Sequence, residues 1–268
     1  MNPKISILMG IYNCAETLGE AIESILAQTY TNWELIMCDD GSADDSYAVA
    51  NRYQINFPDK IILLKNSRNM GLNHTLNRCL EHATGEYIAR MDGDDLSLPE
   101  RLETEVRYLE THPEYAIVSC PMIHFDENGD WNIGQCISEE PVPEMLVHGT
   151  IHCHAPCMIR SEAMRAVGGY SVQKRLLRVE DWHLWLKLYA AGYRGRNLKQ
   201  PLYKMRDDQA AAMRRKFRYR INEAYVSLMT VRIFKLPAWK AIYAMRPLIV
   251  GLMPISLYQY LHRRKIRG

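Results

Sequence analysis

Three carboxylates fall within four consecutive residues, Asp92-Gly93-Asp94-Asp95, directly after the mostly apolar run Tyr87-Ile88-Ala89-Arg90-Met91. Like charges gathered at the rim of a core repel one another, and they are costly to hold there unless a cation lies between them. A divalent metal with oxygen ligands relieves that repulsion, and such a metal commonly carries a phosphorylated substrate. Taken alone, the cluster is equally a solvated acidic turn. A second acidic stretch, Asp39-Asp40-Gly41-Ser42, follows the apolar run Trp33 to Cys38. A third pair, Glu180-Asp181, precedes Trp182, Leu184, Trp185, Leu188 and Tyr189.

The elements that must position these carboxylates alternate in type. Ile5 to Ile11 is a β-rich run, and Thr17-Leu18-Gly19-Glu20 is a capping box that predicts a helix with Leu18, Ile22, Ile25 and Leu26 on one face. Strands follow at Trp33 to Cys38, Ile61 to Leu64 and Tyr87 to Met91. Between them, helices are predicted over Asp44 to Tyr53 and along Leu72, Leu76 and Leu80. Ser97-Leu98-Pro99-Glu100 is a second capping box, predicting a helix to about Glu110. Such alternation gives an α/β fold with a mostly parallel central sheet flanked by helices, and ligands bind at the carboxyl ends of its strands. Tyr12-Asn13, Asp39-Asp40 and Asp92 to Asp95 then share one sheet edge, so two distant acidic clusters converge.

Beyond Ala116 the pattern is less regular. Val118 to Phe125 predicts a strand, Asp126 to Gly129 a turn, and Trp131 to Ile137 a return strand. Pro156 to Arg160 is a short strand with a helix starting at Ser161. Glu180-Asp181 opens a helix through Ala190, and Leu202 to Met205 is a last strand.

The 268 residues, 47% of them apolar, suffice for one sizeable core with an appendage. Net charge is +2 but unevenly placed: residues 210–268 hold 13 Lys and Arg against the single acid Glu223, or +12, and residues 1–209 carry −10. An acidic body with a basic tail points to an anionic partner. Seven irregularly spaced cysteines argue for a reducing compartment. The apolar run after Lys4 is too short for a secretory signal, and no segment reaches the roughly 20 apolar residues of a spanning helix.

The runs Ile5 to Asn13, Asp39 to Ser42, Gly85 to Asp95 and Glu180-Asp181 occur in the order and spacing of glycosyltransferase family 2, which the chain resembles over about residues 4 to 205. Within it the chain is most similar to bacterial exopolysaccharide and O-antigen glycosyltransferases. The resemblance implies a GT-A fold, a nucleotide-sugar donor (a UDP-sugar by preference), Mg2+ or Mn2+, and inversion at the anomeric carbon. It divides the chain into a catalytic domain, residues 1–209, and a basic amphipathic helical tail, residues 210–268. Residues 1–115 form the nucleotide-sugar half of that domain and residues 116–209 the acceptor and catalytic half.

The resemblance also assigns roles. Tyr12 and Asn13 bind the nucleotide, and stacking of a base on an aromatic ring is worth about 1–3 kcal/mol. Asp40 resembles the carboxylate that accepts the uracil N3 proton, with Asp39 structural. Asp92 approaches the ribose or metal-bound water, Gly93 lets the backbone approach the diphosphate, and Asp94 is the metal ligand. Asp181 resembles the catalytic base, which takes the acceptor hydroxyl's proton as the diphosphate departs. The expected acceptor is a saccharide or a lipid-linked sugar.

Other functions fit less well. A nucleotidyltransferase would place a glycine-rich basic loop after the first strand, and Gly10-Ile11-Tyr12-Asn13 has neither feature. A zinc deaminase would continue Pro156-Cys157 to a second Cys, where Arg160 stands. A non-catalytic adaptor has no chemical need for Asp40, Asp94 and Asp181 together. Arg214-Arg215-Lys216, Arg218 and Arg220 form one basic cluster of the tail, and Arg263-Arg264-Lys265 and Arg267 another. Between them lie Trp239, Tyr243, Leu248, Ile249, Leu252, Met253, Leu257 and Tyr258. This pattern predicts peripheral binding to an anionic membrane surface, at the cytoplasmic inner face, and no nucleic-acid partner.

Overall fold

Every residue of β2 (Trp33–Asp39) is buried, as are all but one of β1 (Ile5–Ile11), the burial expected of strands covered on both faces. The computed structural model describes residues 2–206 and 217–253. The first half runs β1, α1 (Ala15–Leu26), β2, α2 (Ser46–Asn56), β3 (Ile61–Lys65), α3 (Leu72–His82) and β4 (Tyr87–Asp92). It continues through β5 (Leu96–Ser97), α4 (Arg101–Thr111), β6 (Ile117–Ser119), β7 (Met122–Asp126) and β8 (Gly129–Ile133). After a 3-10 turn at Pro143–Val147 come β9 (Met158–Arg160), α5 (Ser161–Ala166), α6 (Glu180–Ala190), β10 (Gly195–Asn197) and β11 (Tyr203–Arg206). Beyond lie α7 (Phe217–Ile233), a 3-10 helix at Ala238–Ala244, and α8 (Met245–Leu252).

The main sheet has the order β10-β6-β9-β4-β1-β2-β3. Its strands are parallel except β9, which runs antiparallel between β4 and β6. A second sheet, β5-β11-β7-β8, stands beside it. Because β1, β2 and β4 are parallel, Ile11 pairs with Asp39 and Gly10 with Asp92, so both acidic strand ends reach one edge.

Side-chain alternation along β1 feeds two cores. Ile5, Ile7, Met9 and Ile11 pack with α1 and α4 on one face, and Leu8 packs with α3, α6 and Val226 of α7 on the other. Each fully buried aliphatic side chain contributes about 1.5–3 kcal/mol. Arg101 and Glu105 of α4 are wholly buried behind β4, paired at 3.3 Å, and Arg101 also donates to the Arg90 carbonyl at 2.8 Å.

Several expected boundaries move. Helix α1 begins at Ala15, not at Thr17: the Ala15 N–H is met by Asp44 Oδ2 at 3.0 Å, and the Thr17 hydroxyl donates to Gly93 O at 3.1 Å. Ser97 lies in β5 and α4 starts at Arg101 without a side-chain cap. The single strand expected over Val118 to Phe125 is two strands in different sheets, broken at Cys120-Pro121. The return strand ends at Ile133, and β10 had no sequence signal.

Helix α7 is no detached appendage. Its Ser227 and Thr230 hydroxyls donate to the carbonyls of Val147 and Leu146, and Val226 is fully buried in the second core. The expected domain boundary at 209/210, the cluster Arg214 to Lys216, the cluster Arg263 to Arg267, and Leu257 and Tyr258 lie outside the described residues.

Candidate active site

The acidic residues meet at the carboxyl edge of the main sheet. One ligand oxygen from each of Asp92, Asp94 and Asp95 lies within 4.8 Å of the others, and among the described residues this is the cluster able to hold a metal. The three differ in setting: Asp94 is exposed, Asp92 half-buried and Asp95 buried. Desolvation by the surrounding chain, then the Asp92 charge, raises the Asp94 pKa. Asp95 is pushed up to about 8, by burial first and then by Asp92 and Asp94. A set of hard oxygen donors under mutual repulsion fits Mg2+ or Mn2+. Asp95 also accepts the Arg206 N–H at 2.8 Å, so it orients the loop as well.

Arg90 is central to the arrangement, though no role for it was evident from sequence. It lies in β4, nearly inaccessible, with its guanidinium paired to Asp92. Burial opposes its charge, but Asp92 and then Tyr203 and Tyr170 outweigh burial, and its pKa is raised. Its Nε has no hydrogen-bond partner, and neither does the buried Oε2 of Glu180. The Glu180 pKa is raised by burial and by Asp181, while Arg90 and Arg178 pull it down. Arg90 thus pairs directly with the Asp92 loop, and its charge also favours the ionised Glu180 at the start of α6.

Asp181 sits in the first turn of α6, where the helix dipole favours a carboxylate, and its Oδ1 accepts the Trp182 N–H at 2.7 Å. Two indoles fix that helix: Trp182 Nε1 donates to Leu146 O at 2.7 Å and Trp185 Nε1 to Thr150 Oγ1 at 3.0 Å. The loop leading into α6 is clasped from α3, because Asn77 bonds both the N–H and the carbonyl of Tyr170 and Asn73 donates to Ser171 O. Residues of α3 and the segment before α6 are therefore tied directly to each other.

At the end of β1, Tyr12 is 51% exposed. Asn13, at φ +50°, joins two loops: its N–H donates to Ser42 Oγ at 3.0 Å and its Oδ1 accepts the Ala43 N–H at 2.9 Å. Asp40 is buried and accepts from Asn66 Nδ2 (2.7 Å), Met70 N (2.8 Å) and Gly71 N (2.8 Å). A carboxylate has about four acceptor positions, so one remains, on Oδ2. Asp39 is fully buried and accepts the Ser42 N–H, in keeping with a structural part. The missing side chain of Gly93 faces protein: a Cβ there would lie 2.9 Å from Cys14 Sγ. Tyr203 and Arg206 of β11 complete the site from the second sheet. The Tyr203 hydroxyl accepts the Asp92 N–H at 3.1 Å, and Arg206 Nε donates to Asp94 O at 3.0 Å.

The His152-Cys153-His154 segment is built into the core. His152 Nδ1 lies 2.6 Å from Asn197 Oδ1 and Nε2 3.0 Å from the Tyr189 hydroxyl, while His154 Nε2 lies 2.8 Å from the Tyr170 hydroxyl. Burial lowers the His152 pKa from 6.5 to about 4. The folded state then binds fewer protons than the unfolded chain between those values, so stability is lost as pH falls through that window. The loss amounts to about 3 kcal/mol once both states are protonated. Burial lowers His154 and His183 in the same sense, so urea unfolding is expected to show a larger drop between pH 7 and pH 4.5, and His152→Gln should reduce it by the His152 share.

Comparison with known proteins decides the family. Residues 6–170 match the profile of Glycosyl transferase family 2. The chain belongs to that family. It is 45% identical over 264 residues to the putative glycosyltransferase EpsE of Bacillus subtilis, covering 98% of this chain and 95% of that protein. It is 30% identical over 196 residues, 72% of this chain and 73% of the other, to WfaP of Escherichia coli, a UDP-Glc:alpha-D-GlcNAc-diphosphoundecaprenol beta-1,3-glucosyltransferase. Among solved structures, the mannosyltransferase PcManGT of Pyrobaculum calidifontis, in complex with GDP-Man and Mn2+, superposes with a TM-score of 0.65 at 20% identity. That match covers 98% of this chain and 79% of that one. The chain is a family 2 glycosyltransferase with the GT-A architecture.

Proposed function

We propose that this glycosyltransferase moves a sugar from a UDP-sugar to a hydroxyl of a saccharide or lipid-linked acceptor, with inversion, in bacterial surface polysaccharide synthesis at the inner face of the membrane. The observation that carries this reading is the convergence of Asp92, Asp94 and Asp95, with Arg90 paired to Asp92, at the carboxyl edge of the sheet. The UDP-glucose donor and the diphosphoundecaprenol-linked acceptor named for WfaP support uridine and a lipid-linked acceptor.

In this mechanism the Tyr12 ring stacks on the base, and the remaining Oδ2 position of Asp40 accepts its N–H. Asp94, with Asp92 beside it, would hold Mg2+ or Mn2+, which when bound offsets the charge of the diphosphate leaving group. Arg90 pairs with Asp92 and holds it toward the ribose side, and Arg206 holds the Asp94 backbone in place. Asp181 takes the acceptor hydroxyl's proton as that oxygen attacks the anomeric carbon from the face opposite the diphosphate. Displacement from the opposite face is what inverts the centre. Proton removal by a placed carboxylate contributes about 10²–10⁴-fold.

Base choice gives the test. Uracil N3 and guanine N1 carry protons that Asp40 can accept, whereas cytosine N3 carries none. Inhibition of UDP-sugar hydrolysis by UDP is expected to exceed that by CDP by at least about tenfold, the loss of one charge-assisted hydrogen bond. Equal inhibition by the two would remove Asp40 from the nucleotide site. Asp40→Asn is a weaker test, because an amide nitrogen cannot accept the Met70 or Gly71 N–H and the loop itself would shift.

A further inference from the structure

The second half of the described tail leaves one apolar face uncovered. The 3-10 helix at Ala238–Ala244 runs into α8 through helical dihedrals at Ala244 and Met245, giving a rod about 25 Å long. One side of the rod is docked. Ala244 is buried, the Tyr243 ring packs edge-on to His148 at 4.3 Å, and a Cβ on Gly251 would lie 2.8 Å from the Phe217 ring of α7. The other side carries Trp239, Ile242, Met245, Ile249 and Leu252, each 51% to 74% exposed. Their spacing of three, three, four and three residues puts them on one helical stripe.

Charge selects the occupant. From Ala224 to Gly268 the sequence holds eight Lys and Arg and no Asp or Glu. Exposed Lys235 lies just before the rod in sequence, and half-buried Lys240 and exposed Arg246 lie within it. A protein partner's apolar patch has no need of such one-sided charge, whereas an anionic bilayer surface attracts it. An indole at one end of the stripe suits the headgroup level. The rod is too short to span a bilayer, and no described helix is long and apolar enough to do so.

We propose that this face inserts into the interface of an anionic lipid membrane, with Ile242, Ile249 and Leu252 in the upper acyl region, the Trp239 indole at its boundary with the headgroups, and Lys240 and Arg246 among the headgroups. The face is rigidly coupled to the catalytic half. Helix α7, on which the rod packs, donates from Asn222 to the Leu177 carbonyl, three residues before Glu180, and its Tyr225 ring lies under Arg175. Docking the rod therefore holds the α6 end of the cleft close to the lipid surface, where a lipid-linked acceptor would present its hydroxyl. That purpose rests on the function proposed above; the binding itself does not.

Removing the whole tail is no fair test, since α7 covers the second core. The experiment uses the full chain with vesicles of phosphatidylcholine alone or mixed with phosphatidylglycerol, some carrying brominated acyl chains. The protein should float with the anionic vesicles and be released by salt. Ile249→Ser with Leu252→Ser, or Lys240→Ser with Arg246→Ser, should lower the affinity by about tenfold or more. Brominated chains should quench tryptophan emission, and Trp239→Phe should remove most of that quenching although four other indoles remain. Equal flotation on phosphatidylcholine alone would overturn the proposal. So would quenching that survives Trp239→Phe, or self-association lost in the Ile249/Leu252 variant without vesicle binding. UDP-sugar hydrolysis measured without vesicles should be unchanged in these variants. Its absence from the unmodified chain would count against the proposed donor chemistry and leave the vesicle result standing.

Discussion

Asp181→Asn is expected to lower sugar transfer by about 10²–10⁴-fold while UDP affinity stays within about twofold of the unmodified protein. The substitution is close to isosteric and keeps an oxygen for the Trp182 N–H, so α6 should start where it does now. What it removes is a basic oxygen at a helix N-terminus that the Trp182 and Trp185 indoles hold in place. Transfer is followed as UDP release in the presence of acceptor, and UDP affinity by calorimetry. A variant that transfers normally would take the base role away from Asp181. One that loses UDP binding and transfer alike would mean that the start of α6 shapes the nucleotide site instead.

Asp94→Asn should fail earlier in the cycle. Among the three clustered carboxylates it is the exposed one, and Asp95 is already engaged by the Arg206 backbone. Replacing it leaves Asp92, which Arg90 pairs with, and a buried Asp95 whose carboxyl is already engaged by the Arg206 N–H and is still pushed up by burial and by Asp92. Little negative charge is then left to attract a divalent ion. Metal-dependent strengthening of UDP binding should disappear, with transfer reduced by about 10²-fold or more. Without metal the variant should be no less stable than the parent, because it sheds a like-charge contact. Thermal unfolding in EDTA checks that point.

The carboxyl edge of the sheet was legible in sequence because its signals are local: mostly apolar runs for β1, β2 and β4, the last two followed by acidic turn residues. Both capping boxes misled, since the N-terminus of α1 is met by Asp44 from another loop and no four-residue pattern records a partner so far along the chain. Val118 to Phe125 read as one strand because periodicity cannot tell which sheet a residue joins. Arg90 did leave a trace, a lone cation inside an apolar strand, and a buried charge of that kind calls for a partner. Tyr203 and Arg206 left none. They reach the Asp92 loop only because β11 runs antiparallel to β5, a pairing of residues more than a hundred positions apart.

The metal-dependent nucleotide site proposed at Asp94 is separate from the base proposed at Asp181. Calorimetric titration of UDP into the intact protein with Mn2+ and with EDTA tests it most directly, alongside the Asp94→Asn and Asp181→Asn variants. Mn2+ should tighten binding by at least about tenfold for the unmodified protein and for Asp181→Asn, and should have no effect on Asp94→Asn. UDP binding of equal strength in EDTA, or a Mn2+ effect that survives Asp94→Asn, would contradict it.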